Sequence, residues 1–435
     1  MTDLLFARLQ MSISLGFHII FACFAMVMPF LMVVSHYLWL KTKKVVYLDL
    51  TKAWSKGVAI IFATGAVSGT VLSFELGLLW PKFMEHAGAI IGMPFSLEGT
   101  AFFLEAIAIG FFLYGWKKMD PWIHWASGLV VGICGVASGI FVVAANSWMN
   151  SPVGFDWVNG RAVNIDPVQA MFNAAWPSQA LHMTLAAFIS VGFAVAGVHA
   201  YLLLKHPRNI LHKKAMLMAL WFGVIAALAQ PFSGDYSASS IARRQPLKLA
   251  AAEALFQTQK EAPLRIGGIV DEKNRQVYFS LEIPKLLSVL SFHDPRAEVK
   301  GLDFFPEENW PPVAVVHYAF ELMVAVGMFL AFISTAFLFI YFKKKEFLER
   351  RFFLKLAAFS TPLGFIALEA GWTVTEVGRQ PWIIYGIMKT KDSVTPIPGL
   401  VVPFILFTGV YIFLSIILVW LMRRQFQAVA DKRYS

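Results

Sequence analysis

SLEGTAFFLEAIAIGFFLYGW, residues 96–116, is apolar along almost its whole length yet carries two glutamates, Glu98 and Glu105. Seven residues are about two helical turns, so both carboxyls lie near one helix face. A carboxylate in hydrocarbon is costly, and it usually faces a bundle interior, a proton path or a cofactor. The same interval recurs in FIALEAGWTVTEVGRQPW (365–382), between Glu369 and Glu376.

Outward from this stretch the pattern repeats. The chain of 435 residues is 58% hydrophobic with a mean hydropathy of +0.63, too apolar for an ordinary soluble domain. Apolar runs of about 20 residues, bounded by charge, predict membrane-crossing helices at roughly 10–39, 57–80, 97–115, 122–147, 178–204, 215–233, 313–342, 353–376 and 399–422. The expected fold class is therefore an all-α polytopic membrane protein of about nine transmembrane helices in bundles. Residues 1–233 would hold helices one to six, 234–312 a single long outer loop, and 313–435 helices seven to nine with a cytoplasmic tail.

A net charge of +10 suggests nucleic acid only until its distribution is read. Lys and Arg concentrate in the short loops after spans one, three, five and seven and in the tail, as in KTKK (41–44), KHPRNILHKK (205–214) and KKKEFLERRFFLK (343–355). By the positive-inside rule those segments face the cytoplasm, the N-terminus is outside and the C-terminus inside. No nucleic-acid partner is expected. The first span is not read as a cleaved signal peptide, because its positive cluster follows the apolar run. Cys23 and Cys134 fall in different spans and offer neither a disulfide framework nor a CxxCH attachment, so any haem would be held without covalent bonds.

The long loop reads as polar and mixed in charge, with one helix-like piece, PLKLAAAEALFQTQK (246–260). On periodicity alone a solvated connector is as good a reading as a functional loop. Lys248 and Glu253, about 140° apart around a helix, are no simple ion-paired face.

Among ten histidines, His206, His212, His293 and His86 are expected in solvated loops. His36, His124 and His317 fall near span ends, where an imidazole costs little. His18, His182 and His199 lie within spans. His182 and Met323 differ by only about 8 Å in expected depth. His18, Glu98 and Glu369 fall in the same leaflet. Five candidate iron ligands on five helices suit haem sites within a membrane bundle. A His/Met pair saturates a haem iron, whereas a single protein ligand leaves a position open to a gas. The residue pattern alone reaches a polytopic membrane protein with buried carboxylates and candidate haem ligands.

RLQMSISLGFH (8–18), LEGTAFFLEA (97–106), AANSWMNSPVGF (144–155), QPLKLAAAEA (245–254) and LEAGWTVTEVGRQPW (368–382) go further. In this order, along essentially the whole chain, they resemble subunit I of the cytochrome bd-type quinol oxidases. The resemblance implies a respiratory terminal oxidase that oxidises membrane quinol at the outer face and reduces O2 to water. The protons would come from the inside, so that proton motive force arises without a pump. It implies two haem b and one haem d, or haem b in place of haem d. It also implies a second membrane subunit (subunit II), with or without a small single-span subunit, in a bacterial or archaeal cytoplasmic membrane.

Residue by residue, His182 and Met323 resemble the ligands of the low-spin haem b, His18 the ligand of one high-spin haem, and Glu369 that of the other. Glu98 resembles the carboxylate on the open side of the His18 haem. Glu105, His124 and Ser138 match a proton route from the inside. Lys248 and Glu253 match the quinol-interacting pair, which makes 234–312 the quinol-binding loop. Trp372 and Arg379 match positions beside the haems, with Arg379 suited to propionates. One departure stands out: many members carry Arg two residues before the methionine ligand, and AFELM (319–323) places Glu321 there. The simplest Coulomb expectation is a lowered reduction potential. Glu75 and Glu376 receive no role. Two rivals remain, a cyanide-insensitive relative with haem b replacing haem d, and a proton-coupled transporter with intramembrane carboxylates.

Overall fold

The computed structural model describes residues 3–158 and 160–430. Among them are nine stretches of helix long and apolar enough to cross a membrane. The first four are α1 (Asp3–Thr42), α2 (Val45–Leu79), α3 (Pro81–Tyr114) and α4 (Pro121–Asn150). Two more follow, α5 (Trp176–Lys205) and α6 (Ile210–Arg244), then the short α7 (Pro246–Ala252). The last group is α8 (Val313–Lys343), α9 (Arg351–Phe359), α10 (Leu363–Val377) and α11 (Val401–Ala430).

All nine expected spans are present, and most are longer than their apolar cores. The reason is local. Pro81 and Pro121 start α3 and α4 at the first helical position, where a missing N–H costs nothing. Asp120 caps α4 by accepting from the Trp122 and Ile123 amides, and Asn209 caps α6 in the same way. Hydropathy sees none of these signals. The 40 residues of α1 would extend about 60 Å, well beyond a hydrocarbon core of about 30 Å. The eighth span is two helices, because Pro362 lacks an amide hydrogen and disfavours helix in the residue before it.

α1 packs on α2 and α4, and α3 on α4. In a second group α5 packs on α6, α8 on α6, and α10 on both α5 and α8. One apolar core runs through the two groups, joining Met26, Leu31 and Phe112 to Val191, Phe193, Leu220 and Phe337. α11 lies at the edge, tied to the start of α1 where the Asp3 carboxylate accepts from the Gly399 and Leu400 amides. With nine crossings the N-terminus shares a face with the long connection, here called the loop face. α11 ends on the opposite face, here called the tail face.

The connection expected to start at residue 234 differs most from its reading. α6 stays helical to Arg244, so irregular chain begins at Gln245. Beyond α7 the chain makes a hairpin in which Leu264–Ile266 pairs with Leu281–Ile283, and Ile269–Asp271 with Gln276–Tyr278. The hairpin is pinned to α8: the Val270 amide donates to Tyr318 Oη at 3.0 Å, and the Ala314 amide to Glu272 Oε1 at 2.8 Å. α7 is not solvated. Leu247, Ala250, Ala251 and Phe256 share a core with Val316 of α8 and Val374 of α10. An alanine-rich turn shows no amphipathic stripe, which is why periodicity could not distinguish this wedge from a connector.

Candidate functional site

Two histidines are held in the same way on different helices. His18 Nδ1 of α1 lies 2.9 Å from Ser68 Oγ of α2, and that hydroxyl donates to the Gly65 carbonyl at 3.1 Å. His182 Nδ1 of α5 lies 3.0 Å from Ser233 Oγ of α6, whose hydroxyl donates to the Gln230 carbonyl at 2.9 Å. Each serine has spent its only hydrogen on a backbone carbonyl, so it accepts from the imidazole. Nδ1 therefore carries the proton and Nε2 offers its lone pair. Such a partner fixes the tautomer and orientation of a metal-ligating histidine. Space is reserved as well: a Cβ on Gly69 would sit 3.0 Å from His18 Cε1.

The other candidates gather around these two. On α8 the Met323 sulfur lies 3.0 Å from where a Cβ of Gly371 would stand, so the missing side chain on α10 makes room for the thioether. Two residues earlier, Glu369 Oε2 comes within 3.4 Å of the same test position on Gly16 of α1, level with the His18 turn. Glu369 Oε1 is buried with no hydrogen-bond partner. Glu369 also lines a cleft of about 580 Å³ between α8 and α10, walled by Tyr318, Leu322, Phe365 and Ile366. Glu98 Oε1 accepts from Ser138 Oγ at 3.0 Å.

Glu98, Glu105 and Phe112 follow one another at seven-residue intervals along α3, and His124 Nε2 meets the Phe112 carbonyl at 2.8 Å. Glu98 with Ser138, buried Glu105, and His124 are thus successive stations from mid-membrane to the tail face. They do not touch. His124 and Ser138 stand about 21 Å apart along α4.

At the loop face a polar chain joins elements that the sequence kept apart. Glu376 Oε2 accepts from Arg379 Nη2 at 2.6 Å, and its Oε1 from Asn146 Nδ2 of α4 at 2.5 Å. Asn150 Nδ2 donates to the Asn146 backbone carbonyl at 2.9 Å, and Asn150 Oδ1 accepts from Lys248 Nζ of α7 at 2.7 Å. Lys248 and Glu253 are 3% and 5% exposed. Burial first, then the neighbouring Arg379 cation, bring Lys248 down to about 7, against the pull of Glu376. Burial and then the Glu321 charge push Glu253 up to about 8, opposed by Arg265. Glu321 therefore acts on the loop carboxylate, and Arg265 of the hairpin is the cation nearby. Arg379 keeps Nε and Nη1 buried and unpartnered. Two spare guanidinium nitrogens at the end of α10, with oriented imidazoles on α1 and α5, fit a group that brings both a metal and carboxylates, as haem does with its propionates.

The sequence profile described as "Cytochrome bd terminal oxidase subunit I" matches residues 6–430. The chain belongs to that family. It is 35% identical over 433 residues to the "Putative cytochrome bd menaquinol oxidase subunit I" of Bacillus subtilis (strain 168), covering 98% of this chain and 97% of that one. It is 30% identical over 445 residues to the "Cytochrome bd ubiquinol oxidase subunit 1" of the same organism, with 99% and 95% covered. Its fold matches "The structure of bd oxidase from Geobacillus thermodenitrificans" with a TM-score of 0.93 at 36% identity, over 98% of this chain and 99% of that one. As a member, this multi-pass membrane protein is subunit I of a quinol:oxygen oxidoreductase that carries haem and uses quinol. Neither rival reading is favoured.

Several histidines expected in water or at the interface are buried. His212 is fully buried against His199, Nδ1 to Nδ1 at 3.1 Å. His36, His124 and His317 are covered on all sides. Span-end position is a poor guide to exposure, because these helices continue past their apolar cores. Sequence reasoning also gave no place to Ser68, Ser233, Asn146 and Asn150. Ser and Asn in apolar helices were the available signal. Glu75, likewise left without a role, is almost fully buried and accepts from Gln10 Nε2 at 3.0 Å and Ser14 Oγ at 2.9 Å.

Replacing Ser68 or Ser233 with Ala removes the acceptor that orients one imidazole. Haem affinity should fall about 10–100-fold at that site alone. Titration of haem into purified Ser68→Ala and Ser233→Ala protein, followed by absorption, checks it; full occupancy in both would show that the serines do not orient ligands.

Proposed function

We propose that His182 and Met323 hold a low-spin haem b, and that His18 and a carboxylate of α10 hold two high-spin haems, one b and one d or both b. The observation that carries this reading is the pair of matched Nδ1–serine contacts, which leave Nε2 of each ring as the lone-pair nitrogen; at His182 that lone pair accepts from Gln230 Nε2 at 3.2 Å, a contact that iron would replace. Bound haem would supply the electron acceptor and the iron that takes up O2. Glu369 is the proposed carboxylate ligand, supported by its unpartnered Oε1. Glu376, one α10 turn beyond Trp372, is its competitor and is already engaged by Arg379 and Asn146. Trp372 and Arg379 border the haem region, and the two spare donors of Arg379 suit propionates. Glu321, close to Met323, lowers the potential at that site.

The loop face is the outer side of a bacterial cytoplasmic membrane, supported by the Lys and Arg of the opposite loops. There the loop takes up quinol: Glu253 accepts a hydroxyl proton, as quinol oxidation needs a base beside the oxygen, and Lys248 holds a quinol oxygen. Protons for water enter from the tail face by way of His124, Glu105 and the Glu98–Ser138 pair. Glu98 lies on the open side of the His18 site. A second membrane subunit, with or without a small single-span one, completes the assembly.

A reduced-minus-oxidised spectrum of the purified protein tests the whole scheme, and absence of haem bands would end it. In the same measurement Glu369→Gln should lose one high-spin haem and keep the low-spin one. Retention there, with loss in Glu376→Gln instead, would move the ligand to Glu376. Glu105→Ala should slow O2 reduction at least about tenfold with haem content intact; normal turnover would remove Glu105 from the route. Because Glu253 acts as a base only when ionised, and is pushed up to about 8, quinol kcat/KM should rise with pH and level off near 8. Glu253→Gln should flatten that limb, and an unchanged profile in the variant would exclude the role.

A further inference from the structure

One buried base at the loop face is not used by this scheme. His317 is 0% exposed and lies in the second turn of α8, one turn before Glu321. Its Nδ1 is 2.8 Å from the carbonyl oxygen of Ala252, the last residue of α7. A carbonyl can only accept, so Nδ1 carries the hydrogen and Nε2 of the neutral ring holds a lone pair. That Nε2 is buried with no hydrogen-bond partner. Capping α7 needs Nδ1 alone. A purely structural role leaves the dry acceptor on the other side of the ring unexplained, and a lone buried acceptor is unfavourable.

Its surroundings are those of the quinol pair. Ala252 immediately precedes Glu253, and the charges that act on Glu253 are Glu321, on the His317 face of α8, and Arg265 of the hairpin. Arg265 Nη1 donates to the Ala254 carbonyl at 3.3 Å, just past Glu253. Lys248 lies one turn before Ala252 on α7, its Cγ 3.0 Å from the test position on Gly378, which is 3.4 Å from Val316 Cγ1 of α8. Lys248, Glu253 and His317 are covered to nearly the same degree by α7 and its neighbours.

Oxidation of a quinol to a quinone breaks two O–H bonds and releases two protons and two electrons. Glu253 accounts for one proton. We propose that His317 Nε2 receives the other, so that Glu253 and His317 serve the two hydroxyls of one quinol. The O–H electron pairs return to the ring as it becomes a quinone, the ring gives up its two electrons to the oxidase's own acceptor, and His317 becomes an imidazolium still bonded to Ala252. The inference rests on reading this loop as the quinol site.

His317→Asn is the informative variant. The Asn amide nitrogen stands where Nδ1 stood and keeps the contact to Ala252, while nothing replaces Nε2. The holoenzyme is assayed with a decyl-substituted benzoquinol and, separately, with tetramethyl-p-phenylenediamine, which gives electrons without a hydroxyl proton. The expected result is a fall of about tenfold or more in quinol kcat, with diamine oxidation within about twofold of the unaltered enzyme. Quinol turnover within about twofold, or an equal fall with both donors, overturns the assignment. Glu253→Gln is run beside it. If that variant loses quinol turnover and His317→Asn does not, only the His317 role fails. If neither loses it, the loop reading fails as well.

Discussion

Hydrocarbon offers no hydrogen bonds, so each polar group within this bundle must find its partner in the protein. That constraint explains the small polar residues scattered through the helices. Most serines and threonines return a hydroxyl to their own helix, as Thr64 does to Ile60 and Ser190 to Ala186. A hydroxyl used in this way still has lone pairs, and at Ser68 and Ser233 those lone pairs each take an imidazole proton. The same economy that satisfies a buried serine thus sets the tautomer of a buried imidazole. Partners are missing at Arg379 Nε and Nη1, Glu369 Oε1 and His317 Nε2, close to the proposed haem and quinol sites, and also at groups remote from the loop face such as both nitrogens of His36 and His212 Nε2.

The molecule separates its chemistry by depth. Charged and hydrogen-bonding groups crowd the loop face, where α7 wedges between α8 and α10 and carries Lys248 and Glu253 into the core. The chain from Arg379 through Glu376, Asn146 and Asn150 to Lys248 connects the end of α10 to the loop through protein hydrogen bonds. The tail face holds a different population. His36 and His124 sit among Phe112 and Trp116, and His199 receives Trp54 Nε1 at 3.4 Å while meeting His212. Between the faces the apolar core is interrupted by Glu98 with Ser138, Glu105, Glu369 and the His18–Ser68 and His182–Ser233 pairs.

Nine apolar runs, the clustering of lysine and arginine, and histidines placed within spans were legible residue by residue, because transfer free energy acts locally along a chain. The motifs around Glu98, Lys248 and Glu369 were legible as a family pattern, and the match over residues 6–430 agrees with it. The paired intervals 98/105 and 369/376 suggested a symmetry that does not exist. Glu98 meets a serine, Glu105 is buried deeper in the bundle, Glu369 is partly free, and Glu376 is held by an arginine and an asparagine.

By itself the sequence determined that this is a bundle of membrane helices, and it offered candidate side chains for holding haem or moving protons. It could not say which of them meet. Ser68 reaches His18 across 50 positions, Asn146 reaches Glu376 across 230, and Lys248 reaches Asn150 across 98. Only tertiary structure decided those pairs, along with the burial of α7 and the free face of His317. The physical reason is that hydropathy is a property of each residue, whereas a tautomer, an ion pair or an orphaned lone pair depends on what another helix brings to it.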